Sequence, residues 1–222
     1  YNVTNSSTVS NIINQSAGSN VSFVLKNSLI YNNLDSYYLP KKGTLINFSN
    51  FLETPNSSNN GYIKNIVTYK KYVNINKKNI LSFQSRIGNI TSLNNNDVLI
   101  DNKFSLGGRW LRGFDSFGAG PRNSRASYIG ANNLVVSKID YSRELTSYSD
   151  FPIFFNLFND YGLLWENKSK PVQNDSNIRS SVGFGLKYYS PIGPIGLTWG
   201  FPIQDETYDI KRMFLFSIGN IN

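Results

Sequence analysis

The most regular alternation in this chain is IRSSVGFGLKYY, residues 178–189. Bulky side chains share one parity of this stretch: Ile178, Val182, Phe184, Leu186 and Tyr188. The other parity holds small or charged residues: Arg179, Ser181, Gly183, Gly185 and Lys187. Because successive side chains of a β-strand point to opposite faces, the pattern predicts a strand with one apolar face and one small or charged face.

Eight further stretches have β-strand character, at residues 21–31, 44–52, 62–73, 80–89, 133–144, 151–165, 194–203 and 213–221. Only the stretch 62–73 leaves its two faces unassigned. The sequence therefore predicts an all-β fold of about nine strands of about ten residues, without an amphipathic helix. Hairpins join the strands, and short turns alternate with long loops.

The face opposite the bulky residues distinguishes two kinds of antiparallel sheet. In a soluble sandwich that face would carry long solvated side chains, whereas here it carries many glycines. This composition favours an antiparallel up-and-down transmembrane β-barrel, with an apolar outside and a polar lumen.

One long loop contains FSLGGRWLRGFDSFGAGPR, residues 104–122. Five glycines in it supply positions where φ can be positive: Gly107, Gly108, Gly113, Gly118 and Gly120. Four bulky residues, Trp110, Leu111, Phe114 and Phe117, are too many for an exposed loop. We expect residues 91–132 to fold into the protein and bury Arg112, which then requires a carboxylate partner. Alternation within 151–165 places Asn156, Phe158, Asp160 and Gly162 on one face.

The composition excludes several kinds of site. The chain has no histidine and no cysteine, so zinc sites and His-based or Cys-based nucleophilic machinery lack their residues. Gly118-x-Gly120 lacks the Lys-Ser/Thr of a phosphate loop. The carboxylate pairs Asp205/Glu206 and Asp140/Glu144 are better interpreted as loop charges or ion pairs. We therefore predict no enzyme, no catalytic residue, no metal site and no cofactor.

The net charge of +8 and the pI near 9.5 raise the question of a nucleic-acid partner. Only short basic pairs occur (Lys41-Lys42, Lys70-Lys71, Lys77-Lys78), and no helix collects them. The interpretation of scattered lysines is favoured over nucleic-acid binding. A basic soluble β-domain that binds nucleic acid stays a minor alternative.

Five motifs give the chain a family resemblance. Leu111-Arg112-Gly113-Phe114 forms the centre of the long loop, with Gly107-Gly108 before it and Gly120-Pro121-Arg122 after it. Phe158-x-Asp160-x-Gly162 follows in a predicted strand. The other three are YNNLDSYYLPKKG (31–43), YYSPIGPIGLTWGFPI (188–203) and FLFSIG (214–219). In this order they resemble the C-terminal part of BamA-type outer-membrane protein assembly factors, a family with mitochondrial and plastid relatives.

The resemblance implies an architecture. Residues 1–222 would be the C-terminal part of one outer-membrane barrel domain, with about nine of about sixteen strands, and POTRA domains would lie elsewhere. Residues 1–20 would be irregular or a partial strand, and residues 91–132 an inward-folding loop. The loop tip (Leu111, Arg112, Gly113, Phe114) would dock in the lumen against Phe158, Asp160 and Gly162. Gly107, Gly108 and Gly120 would shape the loop.

The resemblance also implies a seam. Its terminal strand would carry Phe214, Phe216, Ile218 and Gly219, and the aromatic residues of 199–203 would perturb the bilayer beside it. The family usually ends on an aromatic residue, whereas this chain has Asn222.

By resemblance, the complete protein would fold and insert other barrel proteins in the outer membrane of a Gram-negative bacterium. Its partners would be the lipid bilayer, unfolded barrel clients, accessory lipoproteins and periplasmic chaperones. One alternative is a secretion or translocation pore of the same superfamily, and another is a structural or porin barrel. The Arg112–Asp160 contact is open to two interpretations, a mechanistic contact or a stabilising plug contact.

Overall fold

The computed structural model describes residues 22–55, 61–94, 97–146, 151–166, 176–191 and 193–219. Nine strands form one sheet: β1 (Val24–Asn32), β2 (Gly43–Glu53), β3 (Tyr62–Asn76), β4 (Asn79–Ser92), β6 (Asn133–Glu144), β7 (Ile153–Trp165), β8 (Arg179–Ser190), β9 (Gly193–Gln204) and β11 (Phe214–Ile218). Two short strands, β5 (Gly113–Phe114) and β10 (Lys211–Arg212), form a second, two-stranded sheet.

The large sheet has up-and-down topology. Each strand pairs in antiparallel fashion with the next one in the chain, in the order β1-β2-β3-β4-β6-β7-β8-β9-β11. Among the described residues β1 and β11 are not paired with each other, so the sheet has two edges. The predicted all-β, antiparallel fold with about nine strands is confirmed.

Alternation gives the sheet one apolar face. Exposed side chains on this outer face include Phe48 on β2, Phe83 on β4, Leu157 on β7 and Phe201 on β9. The register aligns outer-face side chains across neighbouring strands. Leu81 of β4 lies opposite Tyr141 of β6, which lies opposite Leu157 of β7. An apolar face that is exposed over many strands is typical of a sheet that faces lipid.

The inner face is the one on which residues 97–132 lie. At the end of the sheet nearest this loop, the inner face is apolar. Strand residues Tyr62, Ile66, Ile90, Leu134, Val136 and Leu164 form a cluster there with loop residues Val98, Phe104, Leu106, Leu111, Phe114, Ala119 and Ala131. The prediction of a polar lumen is therefore wrong at this end. Apolar strand residues are needed there, because the loop buries its own apolar side chains against them.

A second, smaller apolar cluster lies at the opposite end of the inner face. It contains Ile80, Phe154 and Tyr189, with Leu39 and Tyr72 packed against them. Leu39 belongs to the turn between β1 and β2, so this turn covers its end of the inner face. Lys138, Asp140 and Asp160 lie on the inner face between the two clusters.

Several predicted boundaries change. Strand β3 extends to Asn76 and is 15 residues long, and its faces are now assigned, with Val67, Val73 and Ile75 exposed. Within the described residues, the last strand comprises the five residues Phe214–Ile218. The loop begins at residue 93 and includes a three-residue 3₁₀ turn, Ile100–Asn102. The predicted irregular segment 1–20 and Asn222 lie outside the described residues.

Within the ranges described, the structure has no helix that is long and apolar enough to span a membrane.

Candidate functional site: the docked loop tip

The loop tip reaches the middle of the inner face because its flanks are anchored to the sheet. Phe104 forms a β-bridge with Ala131, and Leu106 forms one with Ala119. Leu111 and Phe114 are almost completely buried in the larger apolar cluster. Burial of two large side chains contributes about 4 kcal/mol to loop docking. The tip is thus held between its anchored base and its apolar flanks.

Arg112 is the central polar residue of the tip and is buried. Its Nε and Nη2 atoms donate to the two carboxylate oxygens of Asp160, at 2.8 and 2.6 Å. The backbone N–H of Arg112 donates to the same carboxylate at 3.0 Å. Asp160 is therefore fixed by three donors from one residue, the fork arrangement for which arginine is suited.

A second carboxylate completes the site. Arg112 Nη1 and Nη2 donate to the two oxygens of Asp140, at 2.7 and 3.1 Å. The guanidinium carbon lies 3.6 Å from the centroid of the Phe158 ring, a cation–π contact. The structure thus brings together the predicted residues Arg112, Phe158 and Asp160, and it adds Asp140.

The charges of this site decide its protonation. Burial lowers the pKa of the Arg112 guanidinium, but the Asp140 and Asp160 carboxylates outweigh this effect and raise the pKa above its ordinary value. Arg112 is therefore a permanent cation. The Lys138 ammonium is buried next to the site and donates to the carbonyl oxygen of Arg109 at 2.9 Å. The arrangement binds and orients the tip.

Gly113 lets the tip approach strand β9. Its φ is +94°, and a Cβ there would lie 3.1 Å from the carbonyl carbon of Gly200. A Cβ on Gly200 would in turn lie 2.6 Å from the Gly113 nitrogen. Both positions need glycine because backbone approaches backbone. Gly162 of β7 instead leaves room for a side chain, since its Cβ would lie 2.7 Å from the Leu106 side chain.

The loop glycines are not all alike. Gly107, Gly108 and Gly120 have positive φ, as predicted for them. Gly118 is not among the residues with positive φ, so that part of the prediction is wrong. Gly118 is required for space instead, because a Cβ there would lie 2.5 Å from the carbonyl oxygen of Ile210.

Two other loop residues differ from each other. Phe117 is 58% exposed, so not every bulky residue of the loop is buried. Among the ring pairs described, the Phe117 ring is paired with Tyr128 alone, in a T-shaped arrangement with centroids 5.7 Å apart. Arg122 of the Gly-Pro-Arg run is buried, and its Nη2 donates to the Gly118 carbonyl oxygen at 2.8 Å. Arg122 therefore closes the turn that carries Phe117.

The predicted seam strand is β11. Phe214, Phe216 and Ile218 are exposed on the outer face, and Gly219 follows with a positive φ. Trp199 of β9 connects β11 to an aromatic row, since its ring centroid lies 5.2 Å from Phe214 and 5.5 Å from Phe184. Sequence reasoning found these residues, but not the row that they form.

Asp140 is the functional residue that sequence reasoning missed as a ligand of the tip. Alternation put it on the same face as Lys138, which was correct. What decides its role is register, because Asp140 lies opposite Phe158, two residues from Asp160. No group of three or more acidic residues that could hold a metal occurs within the described part of the chain.

Comparison with known proteins gives a consistent result. The model of the Omp85 superfamily domain matches residues 1–222. The outer membrane protein assembly factor BamA of Nitratidesulfovibrio vulgaris is 26% identical over 214 residues, which cover 94% of this chain and 26% of the relative. BamA of Neorickettsia risticii is 27% identical over 188 residues, 82% of this chain and 25% of the relative.

A fungal protein and a solved structure extend the comparison. A SAM50-like protein of Schizosaccharomyces pombe is 32% identical over 146 residues, 60% of this chain and 29% of that protein. The crystal structure of BamA from Haemophilus ducreyi lacking POTRA domains 1–3 matches with a TM-score of 0.77 and 25% identity, over 87% of this chain and 41% of that one. The chain spans about a quarter of the length of the curated relatives it matches.

Proposed function

Because this chain belongs to the Omp85 superfamily, we propose that it is the C-terminal part of the barrel domain of an outer-membrane protein assembly factor. The resemblance to BamA-type proteins drawn from the motifs is confirmed by the relatives that match. The protein resides in the bacterial outer membrane, where the apolar outer face of the sheet meets lipid. In this proposal the rest of the protein supplies the remaining strands of a barrel with about sixteen strands.

The observation that carries the proposed function is the shortness of β11. Five residues of β11 pair with β9, which is itself 12 residues long. A short edge strand makes few ladder hydrogen bonds, so its pairing opens at low cost. Such a seam lets the strand of an unfolded client add to the sheet edge through its backbone groups.

The docked tip supports this activity by fixing the inner face next to the seam. Arg112 joins the loop to β6 and β7 through Asp140 and Asp160. Gly113 lies directly on β9, the strand to which β11 pairs. We therefore assign the tip residues Leu111–Phe114 to the assembly activity as positioning residues. The aromatic row at Trp199 would disturb the bilayer beside the seam.

The proposed activity requires no covalent step. Clients are unfolded barrel proteins, and accessory lipoproteins and periplasmic chaperones belong to the same proposal. The secretion-pore alternative is not proposed, because the relatives named above are assembly factors and a SAM50-like protein.

The test uses the full-length protein in lipid vesicles, with an unfolded barrel protein as client. Arg112→Ala leaves a hole in the site and two unpaired buried carboxylates. We expect it to lower the initial rate of client insertion at least about tenfold, a change of about 1.4 kcal/mol in the activation free energy. Insertion is measured as the fraction of client that reaches its folded, protease-resistant form.

The matched control is Arg125→Ala, which removes an exposed arginine of the same loop. It should insert the client at the wild-type rate. The proposal is contradicted if Arg112→Ala also works at that rate with the loop still docked. It is equally contradicted if the wild-type protein is no faster than empty vesicles.

A further inference from the structure

The segment that connects β9 to β11, residues 205–213, is bonded to the loop before β11 begins. We call it the connecting segment. Its strand β10 pairs with β5 of the loop tip, with Lys211 opposite Phe114 and Arg212 opposite Gly113. The Asp115 N–H donates to the Ile210 carbonyl oxygen, and the Ile210 N–H donates to the Gly118 carbonyl oxygen, each at 2.9 Å. The connecting segment therefore continues the backbone hydrogen bonding of the tip.

The connecting segment is also fixed to strand β8 by a buried ion pair. Arg179 Nε donates to Asp209 at 3.0 Å, and the side chains of both residues are fully buried. Arg179 Nη1 donates to the Asn177 carbonyl oxygen at 2.6 Å, and Asp209 accepts the Glu206 N–H at 2.9 Å. A buried pair of this kind adds more to the specificity of an arrangement than to its stability, and loss of one partner is costly.

The tip, the connecting segment and the start of β11 meet at Gly200. The Gly200 N–H donates to the Met213 carbonyl oxygen at 2.8 Å, immediately before β11. Because Gly200 has no side chain, the Gly113 backbone can lie directly against it. A displacement of the tip from β9 therefore acts on the residue that bonds the start of β11.

The exposed ion pairs of this region do not explain the connection. Arg212–Asp115 has side chains that are 51% and 31% exposed, and Lys211–Asp205 has 45% and 31%. Ion pairs with this much exposure contribute little. The connection therefore depends on the β10–β5 backbone ladder and on the buried Arg179–Asp209 pair.

We propose that the connecting segment is a positioning element that couples the docked loop tip to the terminal strand. Asp209 and Arg179 hold the segment against β8, and its β10–β5 ladder holds the tip. In this arrangement the tip and β11 are released together, so undocking of the loop opens the seam. The importance of the seam rests on the proposed function, whereas the coupling itself does not.

The test is amide hydrogen exchange of the full-length protein in lipid vesicles. Asp209→Asn keeps the shape of the side chain and removes the charge that meets Arg179. We expect exchange to become at least about tenfold faster both in the tip, residues 113–118, and in β11. Strands β6 and β7 should keep their wild-type rates. The matched control is Asp205→Asn in the same segment, which removes only an exposed pair and should leave all rates unchanged.

Gly118→Ala approaches the same contact from the loop. The new Cβ would lie 2.5 Å from the Ile210 carbonyl oxygen and 2.7 Å from that of Asp115, so the ladder must shift. We expect faster exchange in β11 although the substitution is in the loop. This variant carries the test by itself if Asp209→Asn does not fold.

Two results would overturn the coupling. One is faster exchange that stays within residues 205–209 in Asp209→Asn, and the other is an effect of Gly118→Ala that stays within the loop. Client insertion, measured on the same samples, separates this inference from the proposed function. Coupled exchange in a protein without assembly activity defeats only the proposed function, whereas uncoupled exchange in an active protein defeats only the coupling.

Discussion

The two ends of the inner face are covered in different ways. The long loop covers one end and places charged residues in a buried site, where Arg112 meets Asp140 and Asp160. The β1–β2 turn covers the other end with Leu39, and its polar contacts are exposed around Asp35 and partly buried at the Lys41–Glu144 ion pair. The difference indicates that the loop end depends on a specific polar arrangement, whereas the turn end depends on a small apolar contact.

The largest effect should come from Asp160→Asn at the loop end. Asp160 is completely buried and accepts three hydrogen bonds from Arg112. Removing its charge leaves Arg112 with one carboxylate in a buried site. We expect the free energy of unfolding in detergent micelles, from urea titration, to fall by about 3 kcal/mol.

Asp140→Asn is the matched control for this comparison. Asp140 has a side chain that is 13% exposed and accepts two bonds from the same guanidinium. We expect a loss of about 1–2 kcal/mol. Equal losses for the two variants would contradict the assignment of Asp160 as the main ligand of the tip.

The strands and the face on which Asp160 lies were predictable for one physical reason. Alternation has a period of two residues, so it assigns faces without knowledge of the partner strand. Alternation put Asp160 on the inner face and burial of Arg112 required a carboxylate, but the pairing of these two residues came from the family resemblance. Register cannot be read in this way, so the role of Asp140 beside Phe158 appeared only in the structure.

The connecting segment was not predictable. Strand β10 has two residues, too few for any period, and its partner β5 lies about a hundred residues earlier in the chain. Nothing in the sequence distinguishes Asp209 as a buried residue, because the residues before it are polar as well. The apolar end of the inner face was not predicted for a related reason. Leu134 and Val136 are apolar because the loop covers them, and this contact is not visible in the sequence of the strand itself.

A smaller effect is expected from Gly200→Ala, which tests the loop end by space instead of charge. The added Cβ would lie 2.6 Å from the Gly113 nitrogen and 2.9 Å from the Arg112 carbonyl carbon. The tip must move away from β9, at a cost of about 2 kcal/mol in the free energy of unfolding. Protease cleavage of the loop should become faster as well.

The control for Gly200→Ala is Gly88→Ala. Its Cβ would contact the ring of Phe104, at the base of the loop and not at the tip. We expect Gly88→Ala to lower stability without faster exchange in β11. A tip that stays docked in Gly200→Ala would show that backbone contact with β9 does not hold it.

The smallest effect is expected at the turn end, from Asp35→Asn. The Asp35 carboxylate accepts the N–H groups of Lys41 and Lys42 at 2.9 and 3.1 Å. Slight burial raises the pKa of Asp35, but the hydrogen bonds from the Lys42 and Lys41 N–H groups lower it by more. The pKa of Asp35 therefore lies below its ordinary value of 3.8. A carboxyl with a lowered pKa stabilises the turn above its ordinary pKa, and this contribution is lost as the pH falls through the folded-state pKa.

At pH 7, amide exchange of Lys41 and Lys42 should be faster in Asp35→Asn by a factor of only a few, because the turn is exposed. The difference from the wild-type protein should disappear below the folded-state pKa of Asp35, where the wild-type carboxyl is neutral too. Exchange in the loop tip should be unchanged at either pH, since Arg112 stays charged. A change at the tip would mean that the two ends of the inner face are not independent, and the comparison between them would then fail.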